Sequence, residues 1–298
     1  APYVVNLETG EAAALANCTQ QGSRTVRLHR CEKFGSLLVY FTNELALTAI
    51  AQAVENGYEI VLPDEWEFRA ERDNCLTLHE WVLNILEQEP HPRHEYTTSF
   101  EAAVVPDRLL LLKENSPDAA SEPAIFVNEV QATQIDTWPL DVGFKSVDIG
   151  GLINTGTNRI RVVTSPSAEA APLPSLRHAR LIGAFSLDAT RTILKAPRKT
   201  MCAGSWTDQG YPYYSGTASY SQLVDIPEFF PGQRVFVRAE NPADMVEFII
   251  NGASAGIRPW APYEVDVTAL VKAGRNAIEL RVTNSLANSL TREARPSG

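Results

Sequence analysis

One pattern in this sequence is written twice. Ile125-Phe126-Val127-Asn128, Trp138, Val147-Asp148-Ile149, Leu152, Gly156, Asn158 and Ile160 are matched by Phe248-Ile249-Ile250-Asn251, Trp260, Val265-Asp266-Val267, Leu270, Gly274, Asn276 and Ile278. From the Asp onward the spacing to Leu, Gly, Asn and Ile is the same in both copies. Upstream, Ser99-Phe100 answers Ser219-Tyr220, and Glu114-Asn115 answers Glu240-Asn241. A pattern that recurs in this way describes one supersecondary unit used in tandem.

The physics of the unit is readable. Phe248-Ile249-Ile250 reads as a strand closed by Asn251-Gly252, a turn pair that tolerates positive φ at both positions. Val265-Asp266-Val267 reads as a second strand, its two valines on one face. Leu270 then returns to the core, Gly274 supplies a left-handed turn, and Asn276 can bond the turn backbone through its side chain. Each conspicuous residue has a structural task, Asp148 and Asp266 included.

Elsewhere the texture is also β. Thr25-Val26-Arg27-Leu28, Leu37 to Phe41, Arg159 to Val163, Arg234 to Val237 and Ala277 to Val282 alternate with Gly, Pro, Asn and Asp clusters. Helix is scarce: Leu45 to Asn56 and Trp81 to Glu89, the latter ended by Pro90, have helix-compatible compositions. The expected fold class is all-β, with tandem antiparallel β-sandwich (jelly-roll, galactose-binding-like) domains. The Pro-rich, small-residue stretch Ser165 to Ser175 reads as a linker. It divides a sandwich at 60–164 from a second at 176–290. Residues 1–45 read as the closing strands of a preceding, truncated β-domain, with a turn at Glu8-Thr9-Gly10. The chain starts at Ala1, with neither Met nor a signal-type apolar stretch, and reads as a processed protein or an excised piece of something longer.

Charge and composition narrow the partners. With 26 basic and 36 acidic side chains the net charge is −10, which argues against nucleic acid. Apolar runs such as Leu109 to Leu112 and Val246 to Ile250 fall far short of a membrane helix of about 20 residues. Four cysteines make no disulfide framework; Cys18 and Cys31 could meet across a hairpin, while Cys75 and Cys202 lie far apart. This leaves the compartment, secreted or cytoplasmic, open. No CxxC, phosphate loop or GxSxG occurs, and His91-Pro92-Arg93-His94 reads as a solvated loop rather than a metal pair.

The stretch Gly204-Ser205-Trp206-Thr207-Asp208-Gln209-Gly210-Tyr211-Pro212-Tyr213-Tyr214-Ser215-Gly216-Thr217-Ala218-Ser219-Tyr220 resembles the C-terminal β-sandwich of large bacterial glycoside hydrolases. So do Trp260-Ala261-Pro262-Tyr263-Glu264-Val265-Asp266-Val267-Thr268, Gly274-Arg275-Asn276 and Thr283 to Asn288. The likeness is to family 106 α-L-rhamnosidases and related family-2-like enzymes, whose units of this kind are galactose-binding-like jelly rolls. Trp66-Glu67-Phe68 and Asp73 to Leu78 are similar to the family-2 sugar-binding domain. Val5 to Glu11 and Gly35 to Val39 are similar to the sheet that caps the catalytic region there. The resemblance implies an accessory region without the catalytic α/β barrel, an oligo- or polysaccharide ligand, the missing catalytic domain as a partner, and room for a structural calcium ion.

The candidate carbohydrate-binding residues follow from the chemistry of sugars, which offer C–H faces to aromatic rings and hydroxyls to polar ends. Trp206, Tyr211, Tyr213 and Tyr214 supply rings, and Asp208 and Gln209 supply polar ends, on a loop stiffened by Gly210, Pro212 and Gly216. The competing expectation is that these rings pack as core. Trp260 has a counterpart in Trp138, which favours packing; Arg258 has none, which favours ligand contact. Glycoside hydrolysis needs two facing carboxyls about 5–9.5 Å apart. Glu264 and Asp266 share a strand face, but their neighbours point to structure, and Asp208 has no evident partner. The expectations are therefore a non-catalytic carbohydrate-binding module, a purely structural support for a catalytic barrel, or a piece that contributes to a rhamnosidase-type site.

Overall fold

A computed structural model describes residues 2–5, 12–14, 19–21, 24–26, 38–41, 59–87, 93–115, 122–139, 141–165, 176, 178–242, 244–286 and 288. The expected all-β class is found: the described elements are strands and short 3-10 turns. Among the described residues no helix is long and apolar enough to cross a membrane. By its contacts the chain divides into two units, residues 1–63 with 224–276, and residues 64–223 with 277–298.

The second unit holds a sandwich. One sheet runs in the order Ile135–Thr137, Phe144–Asp148, Leu109–Glu114, Arg180–Gly183, Asn74–Thr77. The other runs Val130–Ala132, Ala124–Val127, Gly156–Thr164, Arg93–Ala102, Ile193–Lys195, Ser186–Leu187. Pairing is antiparallel except where Ile193–Lys195 lies parallel to Arg93–Ala102. The alternation seen in sequence becomes the core: Ile125, Val127, Ile160 and Val162 from one sheet meet Leu109, Leu111, Val147 and Leu181 from the other. All eight are buried, each contributing about 1.5–3 kcal/mol relative to exposure. Beside them, Glu65–Ala70 pairs with Thr200–Cys202 on one edge and with Thr217–Ile226 on the other.

In the first unit, Pro2–Val5 pairs with Ala12–Ala14 and with Leu38–Phe41, and Thr19–Gln21 pairs with Arg24–Val26. Met245–Ile250 forms a hairpin with Ala253–Arg258, and Phe236–Arg238 pairs with Glu264–Asp266.

The two written-out patterns carry the same hydrogen bonds. Val127 pairs with Val130 across Asn128 and Glu129, whose φ values are 48° and 67°. Ile250 pairs with Ala253 across Asn251 and Gly252, at 51° and 84°. Asn128 donates to the Leu152 carbonyl and to Asn158 Oδ1; Asn251 donates to the Leu270 carbonyl and to Asn276 Oδ1. Asn158 bonds the amide and carbonyl of Asn154 and the carbonyl of Gly156. Asn276 does the same with Lys272 and Gly274. Asp148 accepts from the amide of Gly150, and Asp266 from that of Thr268. The structural role expected for both aspartates is what these bonds describe.

One element differs from expectation. The stretch Trp81 to Glu89 has a helix-compatible composition, yet Val82–Glu87 is a strand on the edge of Arg93–Ala102, with Val82 opposite Thr97 and Ile85 opposite His94. Trp81 and Leu83 pack against the core while Val82 is 61% exposed, so the operative period is two. His94 lies in the partner strand rather than in a loop, and His91 lies outside the described residues. So do Leu45 to Asn56, Cys18 and Cys31. Cys75 is buried and Cys202 exposed, and both are free thiols. Burial pushes the Cys75 thiol up to about 11, which leaves it protonated and inert at neutral pH.

Asn158 is fully buried, and its amide serves four groups at 2.7–3.0 Å. Replacing it with Ala strands those partners without water. Urea denaturation should show Asn158→Ala destabilised by roughly 1–3 kcal/mol, against a few tenths for an exposed Asn such as Asn84.

Candidate functional site

The aromatic loop is core. Trp206, Tyr211 and Tyr214 join Phe68, Met201, Ala218 and Tyr220 in one buried cluster, and Tyr213 turns into the core of the sandwich. Exposures are 8% for Trp206, 2% for Tyr211, 7% for Tyr213 and 1% for Tyr214. The rings meet each other edge-on or tilted: Trp206 and Tyr214 at 5.3 Å, Tyr211 and Tyr214 at 5.8 Å, Phe68 and Tyr211 at 5.3 Å. Their polar ends are used as well. The Trp206 indole donates to the Tyr220 hydroxyl, which donates to the Met201 sulfur at 3.3 Å. Burial pushes the Tyr220 hydroxyl up to about 12, so it stays neutral. The Tyr211 hydroxyl accepts from the Arg198 amide at 3.2 Å, and the Tyr214 hydroxyl from the Arg72 amide at 3.3 Å. Stacking a sugar on these four rings would require unpacking the cluster, so the expectation of an open aromatic platform gives way to the packing alternative.

The loop is fixed to the sandwich at Gly210. Its carbonyl accepts from the Leu187 amide at 2.9 Å and from Asn74 Nδ2 at 3.0 Å. Gly210 has φ +95°, and a Cβ there would stand 2.8 Å from the Leu187 carbonyl oxygen. Only glycine meets both conditions. Asn74, 1% exposed, also donates to the Phe185 carbonyl, and its Oδ1 accepts from the Cys75 amide.

Asp208, on the same loop, is exposed and meets a cleft. Ala103, Val104, Asp188, Lys195, Arg198 and Asp208 line a depression of about 640 Å³. A neighbouring hollow of about 420 Å³ is lined by Asp73, Asp107 and Arg108, and shares Val104 and Ala196 with the first. Of the sequence candidates, Asp208 lies in this cleft, with its carboxylate 3.7 Å from Arg191. Gln209 is spent on the Cys202 backbone: Nε2 donates to its carbonyl at 2.9 Å and Oε1 accepts from its amide at 3.1 Å. Arg258 braces neighbouring strands, donating from Nε to the Glu264 carbonyl at 3.0 Å and from a terminal nitrogen to the Ile257 carbonyl. Trp260 is 42% exposed on the connection after that strand. Sequence reasoning thus assembled two chemical roles on one loop, whereas the structure separates the rings below from Asp208 above.

Asp188, Arg191, Lys195 and Arg198 were not singled out from the sequence. Asp188-Ala189-Thr190-Arg191-Thr192 does carry an Asx-turn signature, and the turn forms. The Asp188 carboxylate accepts from the Thr190, Thr192 and Ile193 amides and from the Thr190 hydroxyl. Lys195 and Arg198 reach the cleft through the parallel docking of Ile193–Lys195, a tertiary event with no local signature.

Other chemistries have less support. Asp266 is held by Thr268 and by Arg234, whose Nε donates at 2.8 Å. Partial burial would raise its carboxyl, but these bonds outweigh it and hold the group below the usual range. Among the described residues no three His, Cys, Asp or Glu side chains come together.

No protein-family model matches the chain. A putative beta-glucuronidase of Formosa agariphila is 34% identical to it over 91 residues, which is 29% of this chain and 8% of that protein. Among solved structures, the α-L-rhamnosidase of Streptomyces avermitilis, crystallised with L-rhamnose, is 14% identical; the match covers 73% of this chain and 25% of that one, with a TM-score of 0.34. A rhamnosidase from Novosphingobium sp. PP1Y is 17% identical, covering 76% and 21%, with a TM-score of 0.28. The chain thus spans a quarter or less of each of these proteins. The resemblance drawn from the sequence is met: what this chain is similar to is a part of large glycoside hydrolases.

Asp188 gives the site region a pH signature. Partial burial would raise its carboxyl, but the Thr190 hydroxyl and three amides outweigh it and hold the group at about 2, against an ordinary 3.8. A depressed folded value contributes stability above the ordinary value and loses it as the pH falls through the folded one. Asp188→Asn should therefore be less stable than the parent in urea at pH 7, with the gap closing between about pH 4 and pH 2. A gap that stays constant over that range would contradict the assignment.

Proposed function

We propose that this chain is a non-catalytic carbohydrate-binding, accessory region of a bacterial glycoside hydrolase, and that its sugar site is the cleft walled by Asp188, Lys195, Arg198 and Asp208. The observation that carries this reading is that Asp208 and two cationic residues, Lys195 and Arg198, line one depression. Sugar hydroxyls both donate and accept, so a carboxylate beside basic groups can satisfy them in pairs. The similarity to glycoside hydrolases supports a carbohydrate ligand and a larger catalytic partner.

A second reading is purely structural, with the sandwich serving to hold a catalytic domain in shape. The burial of Trp206, Tyr211, Tyr213 and Tyr214 favours it, because the most ligand-like loop of the sequence is used for packing.

Calorimetric titration against an oligosaccharide panel separates the two. The binding reading expects weak association, with Kd on the order of millimolar to micromolar, since a shallow cleft buries little area. Asp208→Ala should weaken it by about tenfold without loss of fold, because the side chain is exposed. Trp260→Ala should leave it unchanged. No heat with any sugar at about 10 mM would favour the structural reading. Binding lost in Trp260→Ala and kept in Asp208→Ala would move the site away from the cleft.

A further inference from the structure

The charges lining the cleft are unequally satisfied. Asp188 spends its oxygens on the Thr190, Thr192 and Ile193 amides and the Thr190 hydroxyl. Asp208 faces Arg191 at 3.7 Å. Lys195 and Arg198 line the same depression, and neither side chain has an acidic partner among the described residues. The Arg198 backbone is nevertheless anchored, its amide donating to the buried Tyr211 hydroxyl at 3.2 Å. Among the described residues the first hollow therefore presents two cations without an ion pair beside two carboxylates, of which Asp188 is committed to its own turn. This happens in a chain whose net charge is −10.

From this imbalance we infer that the cleft selects sugars bearing an anionic group, a carboxylate or a sulfate ester, held by Arg198 and Lys195. The inference rests on the carbohydrate reading above and names the class of ligand for that site. A planar guanidinium matches a carboxylate or sulfate with two parallel N–H···O bonds, while the ammonium adds a mobile point charge. The overall negative charge of the chain weakens this attraction little, because charges farther than about 10 Å are screened at 0.1 M salt. The adjoining hollow has the opposite balance, with Asp73 and Asp107 against Arg108. Carboxylates there suit hydroxyl donors. The two hollows share Val104 and Ala196 as lining residues, so a chain with an acidic unit followed by a neutral one that reached both would be gripped in one direction.

The test compares three probes on the intact 298-residue chain: methyl β-D-glucuronide, glucose 6-sulfate and methyl β-D-glucoside. Calorimetry should show at least one anionic probe binding about tenfold tighter than the neutral one, with the preference shrinking as salt is raised. If the carboxylate is favoured over the sulfate, the ligand is a uronate; the reverse order assigns a sulfated sugar. In Arg198→Ala/Lys195→Ala the preference should vanish while the melting temperature is kept, since neither side chain has an acidic partner to lose among the described residues. Arg198→Lys should restore part of it. Equal binding of the charged and neutral probes, or a preference that survives the double substitution, overturns the charge selection and leaves the carbohydrate reading in place. No binding of any probe, with a wider sugar panel also silent, overturns both.

Discussion

The candidate site depends on how one glycine is held. Gly210 sits at φ +95° with its carbonyl shared between the Leu187 amide and the buried amide of Asn74. Those two hydrogen bonds fix the turn following Trp206–Asp208 onto the sandwich. Below the turn the rings of Trp206, Tyr211 and Tyr214 close into a core. Asp208, exposed on the same turn, lines a cleft together with Asp188 and Lys195. Tyr211 joins the two layers, since its ring lies in the core and its hydroxyl anchors the Arg198 backbone. In the proposed sugar site, exposed polar side chains would thus be backed by an apolar cluster, an arrangement that lowers the entropy lost on ligand association.

Local chemistry was the legible part. The Asn-led turns, the paired valines and the two buried asparagines were readable because each acts through backbone groups a few residues away, and those bonds recur in both hairpin regions. The strand Val82–Glu87 was missed because its apolar residues fit either period, and its pairing partner decides the matter from a distance. The aromatic loop was readable as important but not as buried. Composition gives the same signal for a sugar platform and for a core lid, and only the presence of Phe68, Met201 and Tyr220 across the way settles which it is. Lys195 and Arg198 had no signal, because the sheet pairing that brings them to Asp208 is parallel and unannounced in the chain.

Selectivity and affinity draw on different parts of such a site. The sandwich supplies shape at no cost to the ligand, but a shallow depression excludes little water, so hydrogen bonds to sugar hydroxyls nearly break even with those to solvent. Discrimination then rests on charge: a cation without an internal partner gains from an anionic ligand, whereas one already paired, like Arg191, gains little. In the proposed site the cleft's cations, rather than the rings, would set specificity.

The most direct measurement is amide and side-chain NMR shift mapping of the chain during titration with methyl β-D-glucuronide. The account predicts that saturable shifts gather at residues 188–198 and 208–210, with the Trp260 indole unmoved. Shifts confined to Arg258 and Trp260, with residues 188–198 silent at saturation, would contradict it.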